Sequence, residues 1–387
     1  MDRMSRAPVY LDCHATTPLD PRVLDRMLPF FTEHFGNPAS STHQWGWKAQ
    51  AAVEQARREV AAIIGASPRE IVFTSGATES NNLAIAGGAA LVAADRRRIV
   101  FSAIEHKSVI EIAERLRVNG FEVTPVPVGR DGRIDLSRLA SEIDGRTAIV
   151  SIMAANNEIG VIQPLEEIGR ITRDAGALFH VDAAQGVGKM PIDVQAMGID
   201  LLSLTGHKIH GPKGCGALFV RKHVTIEPMM IGGGHERGVR AGTLNVPGIV
   251  GLGAACVLAL SGMQADISRV AVLRDRLLAG LRAGLDGVVV NGSMQHRLPN
   301  NLHVSFTDVD GESLLIAIGD IAVSTGSACS SASGAPSHVL SAIMGSDPVP
   351  SASIRFGLGR FTTQDDVDYA VERFTAVVRH LRQTAPV

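Results

Sequence analysis

The sequence is poor in the features that mark several large classes of protein. Only four cysteines occur in 387 residues (Cys13, Cys215, Cys256 and Cys329), and no two form a Cys-x-x-Cys pair. That excludes a disulfide framework and the usual zinc spacings. Basic residues are not in excess. With a formal net charge of −2 the chain cannot neutralise a phosphate backbone, so direct nucleic-acid binding is not expected. No uninterrupted apolar run approaches a membrane span, and the opening Met1-Asp-Arg-Met-Ser-Arg-Ala-Pro8 lacks the apolar centre of a signal peptide. Internal repeats and low-complexity blocks are missing as well. The expected setting is a reducing cytoplasm, away from membranes.

What the chain does contain is an alternation. Hydrophobic residues make up 45% and charged residues 20%, which is ordinary for a soluble globular protein, and the length calls for two domains. Short apolar runs at 71–74, 99–102, 121–128, 148–153, 178–182 and 201–204 read as strands. Helical spacing separates them, at 49–64, from 108, and around 166–174. Strands that alternate with helices predict a mostly parallel sheet covered on both faces. Beyond about Ser261 the rhythm changes to a long amphipathic helix over 267–285, strands near Val288 and at 301–306, and helices at Glu312 and Asp365. The expectation is an α/β protein with a large domain over 16–261. A smaller α+β domain would be built from 262–387 together with 1–15, since termini often pack together.

Candidate chemistry gathers just past the strand ends, where α/β sheets place their sites. Lys208 follows the strand 201–204 in Thr205-Gly-His-Lys-Ile-His-Gly-Pro-Lys-Gly214. A desolvated lysine there loses its proton easily and can condense with an aldehyde, although most loop lysines are simply solvated. Ser75-Gly-Ala-Thr78 lies between a strand and a helix, an arrangement suited to an anion or to plain N-capping. Asp182 ends a buried strand, where a carboxylate needs a cation: a structural Arg or Lys, or a protonated pyridine. His106, Asn157 and Gln185 also follow strand ends, as stacking or hydrogen-bonding groups or as turn residues. His207-x-x-His210 lacks a third ligand of Asp, Cys or His type nearby, so zinc is rejected. Cys329, in Ser324-Thr-Gly-Ser-Ala-Cys-Ser-Ser-Ala-Ser-Gly334, has small polar neighbours and is a reactive-thiol candidate, whereas Cys256 has the surroundings of a buried thiol. Arg355 suits a bidentate grip on a carboxylate, or a structural ion pair.

Together these motifs resemble the cysteine desulfurases of the class V aminotransferase family. The resemblance runs through Ala15-Thr-Thr-Pro18, Thr74-Ser-Gly-Ala-Thr-Glu-Ser-Asn-Asn82, Glu105-His-Lys107, Asn156-Asn-Glu-Ile-Gly160, His180-Val-Asp182, Gly206-His-Lys-Ile209, Gly232-Gly-Gly-His-Glu-Arg-Gly238, Arg240-Ala-Gly-Thr243, Gly326-Ser-Ala-Cys-Ser330 and Ile354-Arg-Phe356. It implies the type I pyridoxal-phosphate fold, with pyridoxal 5′-phosphate carried by Lys208. Asp182 would face the pyridine nitrogen and His106 would stack on the ring. Asn157 and Gln185 would address the hydroxyl side, and Ala77, Thr78, Thr205 and His207 would hold the phosphate. Thr243 would reach the phosphate of a second subunit, implying a homodimer. Arg355, with Asn157, would bind the carboxylate of L-cysteine. Cys329 would take the substrate's sulfur as a persulfide, leaving L-alanine, and pass it to an acceptor protein.

The spacing after Cys329 resembles the branch that serves iron–sulfur assembly. Thr205 stands where members usually carry serine, and the stretch after Arg379 is too short for the extension that docks a cluster scaffold. Weak scaffold docking is therefore expected. Rival readings are a selenocysteine lyase, another class V aminotransferase, or a sulfur carrier with a vestigial site. The intact Lys208, Asp182, His106 and Cys329 argue against the last.

Overall fold

The computed structural model describes residues 8–325 and 337–384, so Cys329 lies outside the described residues. A seven-stranded sheet forms the centre. Its spatial order is Ile71–Thr74, Gly216–Val220, Leu201–Thr205, Leu178–Asp182, Thr147–Ser151, Arg98–Ser102 and Glu122–Val126. Gly216–Val220 runs antiparallel to both neighbours, and the other pairings are parallel. The strands are buried nearly throughout, as expected for a sheet with both faces covered.

The sheet is thus mostly parallel, as the sequence predicts, with one strand more than the apolar runs suggested. Gly216–Val220 was hidden because it begins inside the Gly/Pro-rich turn after Lys208. Gly216 is required there: a Cβ would lie 2.6 Å from the Gly76 Cα and 2.5 Å from the Leu204 carbonyl oxygen. That close approach brings the turn at Gly76 onto the floor of the site.

A second sheet, antiparallel, has the order Ser353–Gly357, Asn301–Phe306, Val288–Val290. Its core, with Leu277, Phe306, Ile354, Phe356 and Phe374 at the centre, is separate from the core under the large sheet. Near the N-terminus Val9–Tyr10 pairs in parallel with Ile321–Ala322.

One helix joins the two cores. The predicted helix over 267–285 is the second half of a 39-residue helix, Val246–Gly284, about 58 Å long. The Asn245 side chain caps its start by accepting from the Gly248 N–H at 3.1 Å. Ser261-Gly262 reads as a break in sequence, but a helical glycine costs only about 1 kcal/mol. Burial on both sides outweighs that: Ile249, Leu252 and Ala255 enter the first core, and Val270, Leu277 and Leu281 the second. Among the described residues this is the one helix long and apolar enough to cross a membrane by composition, and most of that stretch is buried inside the protein.

Candidate active site

The chain just past Thr74, Ser102, Ser151, Asp182 and Thr205 lines one cavity of about 660 Å³. His14, Ala15 and Thr16 close it from the N-terminal segment, and Arg355 from the second sheet. Ten of the twelve predicted site residues line it: Ala77, Thr78, His106, Asn157, Asp182, Gln185, Thr205, His207, Lys208 and Arg355. Cys329 lies outside the described residues. Thr243 is exposed and is not brought to this cavity within one chain.

One end of the cavity carries a buried carboxylate. Asp182 Oδ1 accepts from the Ala184 N–H at 2.9 Å and Oδ2 from Asn81 Nδ2 at 2.8 Å. Asn81 spends its other amide hydrogen on Ser108 Oγ at 2.9 Å, and Ser108 Oγ lies 2.8 Å from His106 Nδ1. His106 caps the helix Lys107–Val118, its Nδ1 accepting from the Ser108 N–H at 3.2 Å, so a neutral ring carries its proton on Nε2. Behind them Glu105 is wholly buried and accepts from the Met153 N–H. Burial, and secondarily the Asp182 charge, push its carboxyl well above the ordinary range.

The opposite end collects donors. Gly76, with φ of 152°, turns the chain from the strand into the helix Ala77–Asn82, whose first residues Ala77 and Thr78 line the cavity. Thr78 and His207 add side chains there, and the Thr205 hydroxyl donates to the Cys215 carbonyl at 3.4 Å. Burial, then the neighbouring Lys208, Lys213 and Lys189, depress His207 to about 4, leaving it neutral at pH 7. Glu79 also lines this end, but Arg240 donates to it at 2.7 Å and ties the loop that carries Thr243 to the cavity wall.

Between the two ends, Lys208 Nζ donates to the carbonyls of His14 and, at 2.7 Å, Ala15. Arg355 is 3% exposed. It donates to the Asn157 carbonyl at 3.0 Å and to Asp12 Oδ1 at 2.9 Å. The structural ion pair read as an alternative for Arg355 therefore exists, and the guanidinium still lines the cavity.

The described residues on either side of 326–336 are fastened beside this group. Ser324 donates to Asp12 Oδ2 at 2.9 Å and forms a β-bridge with Arg355, while Ser337 donates to the buried carboxyl of Glu158. Sequence reasoning missed Asp12, His14, Asn81 and Ser108. All are polar residues near strand or helix ends, indistinguishable there from caps and turns.

The fold and site define a class: an α/β protein that presents a lysine between a buried aspartate and the Gly76–Thr78 turn at the ends of a mostly parallel sheet. The chain belongs to the class-V aminotransferase family, which it matches over residues 9–370. It is 53% identical over 384 residues to Cysteine desulfurase IscS of Anaeromyxobacter sp. (strain K), covering 99% of this chain and 95% of that one. Among solved structures it superposes on a NifS-like protein with a TM-score of 0.90 at 39% identity, covering 97% of this chain and all of that one (100%). SspA in complex with cysteine gives 0.81 at 36% identity, over 92% of this chain and 100% of that one.

Proposed function

We propose that the protein is a cysteine desulfurase that converts L-cysteine to L-alanine and carries the sulfur on Cys329 as a persulfide. The observation that carries this reading is the single cavity in which Lys208, Asp182, the Gly76–Thr78 amides and Arg355 converge. The donor set fits pyridoxal 5′-phosphate. Lys208 would be the covalent tether, Ala77, Thr78, Thr205 and His207 would hold the phosphate, His106 would stack on the ring, and Gln185 and Asn157 would address its hydroxyl side. When bound, this cofactor supplies an electron sink for the bonds at the substrate's Cα.

The remaining work falls to the chain. Asp182, buried and held by two donors, would keep the proton on the pyridine nitrogen. Arg355, fixed by Asp12 and the Asn157 carbonyl, binds the substrate carboxylate and orients Cα toward Lys208. Lys208 removes the Cα proton and returns it as alanine forms. The Cys329 thiolate attacks the substrate sulfur, so the C–S bond breaks, an S–S bond forms and the substrate carbon takes up a proton. Cys13, Cys215 and Cys256 are poor alternatives. Burial pushes the first two thiols to about 12 and the third up as well, and a thiol that stays protonated is not a nucleophile.

The experiment is direct. The purified protein is expected to be yellow, and borohydride to fix the cofactor to the peptide containing Lys208. Label recovered on Lys189, Lys213 or Lys222 instead refutes the tether. We also place Thr243 across a two-fold axis, completing the phosphate site of a second subunit. Light scattering at micromolar concentration is then expected to give twice the 40.9 kDa chain mass. A fully active monomer would overturn that placement. The acceptor of the sulfur is a partner protein with an accessible thiol, in iron–sulfur assembly or another thiolation route.

A further inference from the structure

The cation in the cavity wall is held from behind by an acid. Arg355 lines the cavity and Asp12 does not, yet Asp12 Oδ1 accepts from the guanidinium at 2.9 Å. Its other oxygen, Oδ2, accepts from the Ser324 hydroxyl at 2.9 Å, so the carboxylate is fixed at both oxygens. The backbone is fixed as well. Asp12 forms a parallel bridge with Gly357, on the same strand as Arg355. The Cys13 N–H donates to the Gly357 carbonyl at 2.9 Å, and the Gly357 N–H to the Leu11 carbonyl at 2.7 Å. Glycine permits this approach: a Cβ at Gly357 would lie 2.7 Å from the His14 nitrogen and 2.8 Å from that of Cys13.

On its far side Asp12 opens the turn on which Lys208 rests. Its carbonyl accepts from the N–H of Ala15 at 2.9 Å and of Thr16 at 3.4 Å, and from the Tyr10 hydroxyl at 3.3 Å. Within that turn the carbonyls of His14 and, at 2.7 Å, Ala15 accept from Lys208 Nζ. One residue therefore joins the guanidinium to the amine, its side chain on the first and its main chain under the second.

The pair has an electrostatic consequence too. Part of the Arg355 charge is already answered by Asp12, so a second carboxylate meets a weaker field than a lone arginine would give. Cysteine and alanine carry the same α-carboxylate, which takes no part in the bonds that change. A stronger grip on it would hold substrate and product alike, lowering KM without speeding the reaction. Aim does matter to the reaction, because it decides where Cα stands relative to Lys208.

We propose that Asp12 is a positioning residue of the substrate site, which aims the Arg355 guanidinium at the substrate carboxylate and at the same time moderates its hold. The inference rests on the reading of Arg355 as the carboxylate-binding group and deepens it. Asp12 acts through Arg355, without touching the substrate.

The test separates charge from aim. The holoenzyme is titrated with L-alanine, D-alanine and ethylamine, and binding is read from its visible spectrum. Asp12→Asn keeps the shape and an acceptor for Arg355 but removes the charge. It is expected to bind L-alanine about fivefold more tightly than the parent, with ethylamine, which has no carboxylate, unchanged. KM for L-cysteine should fall by a similar factor while kcat does not rise. Asp12→Ala removes the hydrogen bonds as well. It should bind L-alanine more weakly than D12N does and lose most of the preference for L- over D-alanine, which D12N keeps. A merely structural role would weaken both variants together.

Parental or weaker affinity of D12N for L-alanine, an equal gain for ethylamine, or a D12A that matches D12N overturns the proposal. If D12N does not fold, Asp12→Ser takes its place in the charge measurement; if D12A does not fold, Asp12→Gly takes its place. Arg355→Gln keeps the two readings apart. An R355Q variant that binds L-alanine as the parent does sinks the carboxylate-binding reading of Arg355. Lost affinity in R355Q beside an unmoved D12N sinks only the role of Asp12.

Discussion

Cys329→Ser is expected to keep its colour and its spectral response to added cysteine, while alanine and sulfide formation fall by on the order of a thousandfold or more. The separation follows from where the parts sit. Cofactor and substrate are held by Lys208, Asp182, Arg355 and the Gly76–Thr78 turn, none of which depends on the thiol. Sulfur abstraction does depend on it, and no other cysteine is equipped to substitute. Cys13, Cys215 and Cys256 are 4%, 1% and 0% exposed, with thiols that burial keeps protonated. The Ser324–Asp12 and Ser337–Glu158 bonds fix the residues that flank the Cys329 segment in the chain beside Arg355 and Glu158. Trapping after one turnover is expected to place the extra sulfur on the Cys329 peptide. Cys13→Ser and Cys256→Ser should turn over nearly as the parent does. Persulfide on Cys215, or parental turnover by Cys329→Ser, would remove Cys329 from the reaction.

Lys208→Ala should be comparably severe for a different reason. Proton transfer by a positioned side chain contributes roughly 10²–10⁴-fold, and here the same amine is also the tether. Turnover is expected to drop by at least that factor. Asp182 and the anion cradle should still retain some cofactor, bound without a covalent link and lost on dialysis. Methylamine added to this variant should restore a small part of the rate, because it replaces the lost base but not its position. If borohydride still fixed cofactor covalently to Lys208→Ala, another lysine would be the tether, and Lys189 and Lys213 would be the first to examine.

The parts of the site that sequence could reveal are those attached to a strand end. Lys208, Asp182 and His106 each follow a buried apolar run, so the fold places them before any contact is known. Asn81 could not be seen in this way. It sits in a helix as an ordinary polar residue, and its meaning lies in two bonds, to Asp182 and to Ser108, across 101 and 27 residues of chain. Asp12 and His14 were legible only as turn residues, because the elements they brace, Arg355 and Gln185, lie far along the chain. The same limit applied to the fold. The parallel strands declared themselves by alternation, whereas Gly216–Val220 was masked by the glycines that let it approach Gly76. The long helix was read only from 267 because the rhythm changes beyond about Ser261, and its burial in two cores is a tertiary fact.

The pairing of Val9–Tyr10 with Ile321–Ala322 sets a timetable for the newborn chain. These residues leave the ribosome about 310 residues ahead of their hydrogen-bonding partners, roughly 15–60 s at ordinary rates of synthesis. His14 and Ala15, on whose carbonyls Lys208 rests, wait in the same stretch, and Arg355 is translated later still. The large sheet can assemble while translation continues, but the pocket cannot be finished until Arg355 has been made. Through that interval the N-terminal strand is an unpaired edge, the kind of segment that chaperones shield and that a premature stop would leave exposed.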